Sequence, residues 1–554
     1  MIAEIPDLLA KRARLNPAAV ALEDGMSGRT STYAALDARA GRAAAMLAMR
    51  GIGEGDRVAI LSRNRIEFFE LLFACARLGA ILVPLNWRMP AAELDPLIAD
   101  CAPALLVAGD EDTGVVARLA DPPPLLSLEA DYEAALAAVA PITARPHWPA
   151  ADTWYLIYTS GTTGRPKGVI CTYRMALANY VNITSAAGIN ASDTTVSFLP
   201  HFHTAGINLH ALPTLIAGGR VIVLPGFDPA ALAALFAARR IDTFFAVPTV
   251  YRALLADPAF TAAPLDHVRH WGCGGAPLPD ATALACRGLG VRVCNGMGMT
   301  ETGPTAFLMD PADAWDRIGS VGKPQLLCSV RIVDDAGREL PDGAVGDLLF
   351  AGPGVTPGYW RNPEATRAAF TADGWLQSGD LARRDAEGFY YVVGRRKDMF
   401  ISGGANVYPA EVENVLAAHP AVTDVAVIGA SDPQWGEVGH AFIQLADGAR
   451  ADRDELAAHC RARLAAYKVP ARFEFVTGFP RTSAGKIRKH LLGVSEETRV
   501  EGAAGSGGGS FEKDATRPFQ TKLVGERGFE PPAPASRRQC STRLSYSPTE
   551  TRGP

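Results

Sequence analysis

Apolar residues in the first half of the chain alternate between a helical and a strand period. Ala43–Arg50 reads as a helix ending in the Gly-rich turn Gly51-Ile52-Gly53-Glu54-Gly55, and Arg57–Leu61 follows as a short apolar strand. Ile66, Phe69, Phe73 and Ala76 recur at helical spacing, and Ile81–Leu85 is an unbroken apolar run. Helices facing a core repeat apolar residues three and four apart, whereas strands buried on both faces are apolar throughout. The pattern resumes at Thr194–Leu199, Arg220–Leu224, Thr243–Val247 and Arg269–Gly272, each leading into a turn that holds Gly, Pro or His. Repeated strand–helix–strand units predict mainly parallel sheets covered by helices, with sites beyond the carboxyl ends of the strands.

After about Gly319 the pattern changes. Ser329–Val333, Asp347–Phe350 and Gly388–Val393 are short strands between Asp-Gly and Pro-Gly turns, which predicts antiparallel hairpins and a small β-barrel-like part. From Met399 a compact α/β stretch is expected: a helix from about Pro409, strands Val425–Ile428 and Ala441–Leu445, helix Arg453–Ala466 and strand Arg472–Val476. The predicted class is α/β, a large N-terminal domain followed by a smaller C-terminal one. Beyond Leu492, a Gly/Ser linker at 505–510 and a stretch rich in Pro, Arg, Ser and Thr lack the apolar content to offset ordering entropy, so residues 494–554 are expected to be a disordered tail.

Composition removes several classes of function. With 54 Lys plus Arg against 59 Asp plus Glu, the net charge of −5 carries no footprint for nucleic acid and no polybasic membrane signal. The best membrane candidate, FFELLFACARLGAILVPL from Phe68, is interrupted by Glu70 and Arg77, so no membrane span is expected. The N-terminal MIAEIPDLLAKRARLNP lacks the apolar run of a signal peptide. Nine cysteines without Cys-x-x-Cys or zinc-ligand spacing read as reduced thiols of a cytoplasmic protein.

Five segments carry chemistry. After the strand Trp154–Ile157, Tyr158 to Val169 interleaves Thr159, Ser160, Thr162 and Thr163 with Gly161 and Gly164 and ends near Lys167. Dense N–H and O–H donors, close backbone approach and a mobile charge suit a polyphosphate. The spacing is not that of a Walker A loop. Asn295-Gly296-Met297-Gly298-Met299-Thr300-Glu301 offers a hydroxyl to a phosphate and one carboxylate to Mg²⁺, which on phosphates takes only one or two protein carboxylates. Asp380, at the end of a strand-like run from Trp375, can accept two ribose hydroxyls. Gly394 to Gly404 places Arg395, Arg396 and Lys397 before the pair Gly403-Gly404, which reads as a charged hinge, and Pro480 to Lys489 is a basic loop containing Lys486. Taken singly, each could be a solvated turn or surface charge run.

In this order and at these separations, the five segments resemble the adenylate-forming superfamily: acyl- and aryl-CoA synthetases, peptide-synthetase adenylation domains and beetle luciferases. The resemblance runs from about Ile5 to Leu492. It implies a nucleotide- and acid-binding domain over residues 1–394, a hinge at 395–398 with Lys397 at its centre, and a mobile domain over 399–493. Thr159 to Lys167 is similar to the family's phosphate loop. Thr300 matches the threonine near the α-phosphate, Glu301 the magnesium ligand, Asp380 the ribose carboxylate and Arg395 the arginine on ribose and phosphate. Lys486 matches the lysine bridging the attacking carboxylate and the α-phosphate. Gly274, Gly275 and Ala276 resemble the turn between acyl pocket and adenine, with Asn295, Gly296 and Met297 beside the nucleotide. Phe202, His203, Val247, Gly274 and Gly298 fall at the acyl pocket, with His203 also among the catalytic candidates, and Gly403 and Gly404 at the pantetheine tunnel. Met297 departs from the family's usual Tyr, so weaker ATP binding is expected. Ala405 stands where many relatives carry Glu, and no consequence is attached to it.

The implied substrates are a carboxylic acid (fatty, alicyclic or aromatic), ATP and coenzyme A, with Mg²⁺ as cofactor and room for a homodimer. The implied reaction is AMP-forming acid–CoA ligation. Two alternatives stay open at this point: an adenylation enzyme loading an acyl-carrier protein, and a non-catalytic protein that binds acyl-adenylate or nucleotide.

Overall fold

The computed structural model describes residues 2–142, 145, 147–159, 166–481 and 487–493, so the expected tail lies outside the described residues. Among these, a six-stranded sheet runs in the order Lys167–Thr172, Thr153–Thr159, Ile81–Leu85, Arg57–Leu61, Leu105–Ala108, Leu125–Ser127. It is parallel except at the edge pair Lys167–Thr172 and Thr153–Thr159. A nine-stranded sheet has a parallel centre, with Val293–Met297, His270–Cys273, Thr243–Ala246, Thr194–Ser197, Arg220–Val223 and Val20–Asp24 side by side. The fully apolar runs Ile81–Leu85 and Leu105–Ala108 are buried along their whole length, as strands covered on both faces must be.

Helix Ile66–Leu78 packs against strands of both sheets, and every residue in it but Leu78 is buried. Phe68, Phe69, Leu71, Leu72 and Phe73 are each worth about 1.5–3 kcal/mol on burial. The same helix buries Glu67, Glu70 and Arg77, which is tolerable only because each has a charged partner. Arg77 meets Asp7 at 3.0 Å, and Glu67 meets Arg29 at 2.7 Å and Arg65 at 2.9 Å. Burial pushes the Glu67 carboxyl up, but the two guanidinium groups outweigh it and hold it at about 2. A folded pKa below the unfolded value of about 4.5 stabilises the native state above pH 4.5, and the gain fades as pH falls toward 2. Glu67→Gln is therefore expected to destabilise the protein at pH 6, with the deficit in urea midpoint shrinking toward pH 3. A deficit constant over that interval would contradict the assignment.

The antiparallel part predicted after Gly319 is a four-stranded sheet, Ser329–Val333, Gly346–Ala351, Leu376–Arg384 and Tyr390–Arg395, bridged from Tyr390 to Gly322. Beyond it, a five-stranded sheet and helices Pro409–Ala417 and Arg453–Arg461 enclose their own core around Val407, Val412, Leu416, Val427 and Leu456. Arg252 donates to the Thr423 carbonyl at 2.6 Å and Asn414 to Asp280 at 3.0 Å, joining this region to the large sheets' helices. Among the described residues no helix is long and apolar enough to cross a membrane.

Candidate active site

Strands Thr153–Thr159 and Lys167–Thr172 pair with Thr159 opposite Lys167, which closes the base of the hydroxyl-rich loop. Ser160, Gly161, Thr162, Thr163 and Gly164 themselves lie outside the described residues. The Thr159 hydroxyl donates to the Lys167 carbonyl at 3.4 Å. A second segment is fastened along the returning strand: Trp360 N–H donates to Gly168 O at 2.7 Å, Ile170 N–H to Gly358 O at 3.1 Å, and the Thr356 hydroxyl to Ile170 O at 2.7 Å. Thr356 N–H also donates to the Glu301 carbonyl at 2.8 Å, so this segment carries Tyr359 between Lys167 and the Glu301 carboxylate. Tyr359 Oη donates to Glu301 Oε1 at 2.9 Å, and Lys167 Nζ stands 5.1 Å from the centre of the tyrosine ring. Burial and the adjacent Glu301 carboxylate both raise the Tyr359 pKa, so the phenol remains a donor.

Thr300–Thr302 forms one tight turn, fixed by Met299 N–H on the Thr302 hydroxyl at 3.0 Å. A Cβ at Gly298 would lie 1.5 Å from the Pro304 carbonyl oxygen, so only glycine admits this fold-back, which presents Thr300 and a Glu301 that is 7% exposed. Val293–Met297 pairs in parallel with His270–Cys273, Cys273 opposite Asn295. Gly274, Gly275 and Ala276 thus leave one strand end beside Asn295, Gly296 and Met297 of the next, as parallel sheets place their ligand sites. The Asn295 amide is tied to Ser320 O at 3.0 Å, and Met297 packs partly against the Phe307 core.

Asp380 does not end a strand, as its sequence neighbourhood implies. It lies inside Leu376–Arg384, because Gly379 takes φ +73° within the strand and the ladder shifts register just after Leu381. Asp380 is buried opposite Arg395, whose Nε meets Oδ1 at 2.6 Å, so the two proposed nucleotide contacts are brought together. Arg396 turns elsewhere, to Asp347 at 2.6 Å and Asp335 at 2.8 Å, and Lys397 sits in the short turn Arg396–Asp398. Gly403 and Gly404, at φ +56° and +81°, form the two-residue turn between Phe400–Ser402 and Ala405–Val407. The Gly403 N–H donates to Trp435 O at 2.9 Å, under a half-exposed indole.

His203 precedes the short helix Thr204–Asn208, its ring 4.7 Å from that of Phe202. Beside them a narrow opening of about 10 Å³ lies between the strand end Val196–Leu199 and Ala205, Gly206, His210 and Phe245. Phe202, His203, Val247 and Gly274 lie in the turns that adjoin these residues rather than on the opening itself. Lys486 lies outside the described residues. Tyr359, Phe245, His210 and Trp435 were not legible as site residues. Each is an ordinary aromatic or imidazole with no motif of its own in the sequence, and only the fold sets it beside one.

Residues 9–360 match the family model of the AMP-binding enzyme, and residues 411–486 that of the AMP-binding enzyme C-terminal domain. The chain is 42% identical over 481 residues to a feruloyl-CoA synthase of an Amycolatopsis species, covering 86% of this chain and 96% of that one. It is 36% identical over 500 residues to an indoleacetate–CoA ligase of Aromatoleum aromaticum, covering 88% and 97%. The solved structure of o-succinylbenzoate CoA synthetase from Bacillus subtilis, in complex with ATP and magnesium ion, superposes with a TM-score of 0.80 at 32% identity, covering 88% of this chain and 99% of that one. Relatives of this length and identity, matched in both parts of the chain, make it a member of the AMP-binding enzyme family of adenylate-forming proteins and an AMP-forming acid–CoA ligase.

Proposed function

We propose that the Lys167–Tyr359–Glu301 constellation and the Asp380–Arg395 pair are this ligase's ATP site, with the acid held beside His203 and Phe202. The supporting observation is the Tyr359 hydroxyl on Glu301 at 2.9 Å with the Lys167 ammonium over the same ring. A cation and a buried carboxylate from distant segments then face one space at the mouth of the phosphate loop. Glu301 suits Mg²⁺: it is a hard oxygen donor, and the tyrosine engages Oε1, leaving Oε2 outside that hydrogen bond. A bound magnesium ion would supply positive charge to the ATP phosphates.

A carboxylate is a poor acyl donor, since its charge repels nucleophiles and oxide leaves badly. Its attack on the α-phosphorus forms the acyl–AMP anhydride and expels pyrophosphate, and the CoA thiol then attacks the acyl carbon and expels AMP. The first step brings anions together, so Lys486 is assigned to the developing charge at the α-phosphate. The second needs that lysine withdrawn and a channel for pantetheine, which rotation of residues 399–493 about Lys397 would bring at Gly403-Gly404. Apolar pocket walls favour a fatty, alicyclic or aromatic acid over an amino acid. Acid-dependent ATP–pyrophosphate exchange, followed by CoA-dependent AMP release across an acid panel, tests this reading, and exchange that proceeds equally without Mg²⁺ would refute the Glu301 assignment. The proposal includes a cytoplasmic location, supported by eight described cysteines that are all free thiols, and a homodimer, which light scattering would read.

Met297 is proposed to meet adenine. A tyrosine there would offer a larger flat face, so Met297→Tyr is expected to lower KM for ATP about threefold to tenfold with kcat little changed. An unchanged or higher KM would remove Met297 from the nucleotide site.

A further inference from the structure

The opening proposed for the acid is lined mainly by apolar groups, but one lining residue, His210, belongs to a buried polar layer of the nine-stranded sheet. Thr195, Thr243 and His270 stand opposite one another on three neighbouring parallel strands, so their side chains share one face of the sheet. His210 reaches the same face from the residue before helix Ala211–Ala217, its ring 5.9 Å from that of His270 and 5.8 Å from that of Phe245. One layer nearer the mouth lie Phe245 and Gly272, where a Cβ would come within 2.6 Å of the Phe245 ring. The glycine therefore lets that ring approach the neighbouring strand closely. His210 lines the opening and is 4% exposed.

The hydrogen bonds fix which nitrogen of His210 carries its proton. The Thr195 hydroxyl donates to the Thr243 carbonyl at 3.0 Å, and a carbonyl can only accept. Thr195 Oγ1 then has only lone pairs to offer His210 Nδ1, 3.4 Å away, so Nδ1 carries the hydrogen and Nε2 is the bare acceptor. Nε2 is buried and has no hydrogen-bond partner among the described residues. Burial, with His270 alongside, holds the imidazole well below its ordinary pKa, which keeps Nε2 unprotonated at neutral pH. A buried acceptor left without a donor is costly, and a ligand that supplies the donor is favoured over one that does not.

Building on the acid site proposed above, we propose that His210 Nε2 is a specificity-determining acceptor for a hydrogen-bond donor, a hydroxyl or amino group, borne by the acid at the end remote from its carboxylate. The preferred substrates are then hydroxylated or amino-substituted ring acids, and a methoxy group, which only accepts, does not replace the donor.

The test compares kcat/KM for CoA-dependent AMP release with benzoate and cinnamate, their 3- and 4-hydroxy and amino derivatives, and the matching methoxy acids. The unaltered protein is expected to favour one donor-bearing acid about tenfold or more over its unsubstituted and methoxy counterparts. His210→Leu should flatten that preference to within about threefold. His210→Gln, which can still present an acceptor oxygen, should restore part of it. Each preference is a ratio within one protein, so partial misfolding cancels. A preference equal in the parent and both variants, or a parent that favours the unsubstituted acids, overturns the inference while leaving the ligase site intact. AMP release from none of these acids, with robust release from saturated fatty acids, overturns it as well and assigns the pocket to aliphatic chains. Absence of release with every acid refutes instead the acid site on which the inference rests.

Discussion

Lys486→Ala is expected to lower acid-dependent ATP–pyrophosphate exchange about 10²-fold or more while leaving thioester formation from supplied acyl-adenylate largely intact. The reason is differential. Charge grows at the α-phosphate only during anhydride formation, and removing one well-placed transition-state donor costs on that scale. Lysine suits the task as a compact charge on a flexible stem, able to be delivered and withdrawn. The C-terminal family match extends to residue 486, so this lysine lies at the end of the matched region. The two half-reactions, measured separately with synthetic acyl-adenylate for the second, give the decisive ratio. Equal losses in both would remove Lys486 from its assigned step and leave it a structural or general electrostatic role.

Glu301→Gln is expected to reduce exchange by about 10²-fold and to move the Mg²⁺ dependence to higher concentration. Glutamine keeps the volume and can still accept the Tyr359 proton, so the hydrogen bond of 2.9 Å has a substitute. What disappears is the negative charge that would hold the cation. Tyr359→Phe, by contrast, removes the donor but keeps the carboxylate, so its expected effect is smaller, about threefold to tenfold, and without a displaced Mg²⁺ profile. Melting temperatures of the parent and both variants check that the turn Thr300–Thr302 survives. A Glu301→Gln enzyme with unaltered Mg²⁺ titration would show that the ion is held elsewhere.

Local rules reached some elements and missed others for identifiable reasons. Arg57–Leu61, Ile81–Leu85 and Ser329–Val333 were readable to the residue, because short apolar or alternating runs between turn residues carry their own boundaries. Helix Tyr33–Met49 was legible only from Ala43 onward. Its buried face includes Ala40, Gly41, Ala43 and Ala44, and small residues blur the apolar period. Helix Arg453–Arg461 stops short of the expected Ala466, where a separate turn Ala466–Lys468 begins. Gly379 read as a strand end because glycine usually marks a turn, yet here its positive φ lies within a longer strand that sets Asp380 opposite Arg395.

The order and spacing of the five motifs carried the resemblance to the adenylate-forming superfamily, and the curated relatives then bear out the acid–CoA ligase among the readings the motifs left open. Strand periodicity likewise determined the parallel sheets. Only the tertiary structure decided that Tyr359 joins Lys167 to Glu301, that Asp380 pairs with Arg395, and that His210, lining the opening, keeps a buried Nε2 with no hydrogen-bond partner among the described residues. These relations depend on which strands lie side by side and in what register, and a distance between residues far apart in the chain has no local signature. Under the proposal above, contacts of this kind would read the substrate's remote end, so selectivity is a property of the tertiary structure rather than of any local sequence pattern.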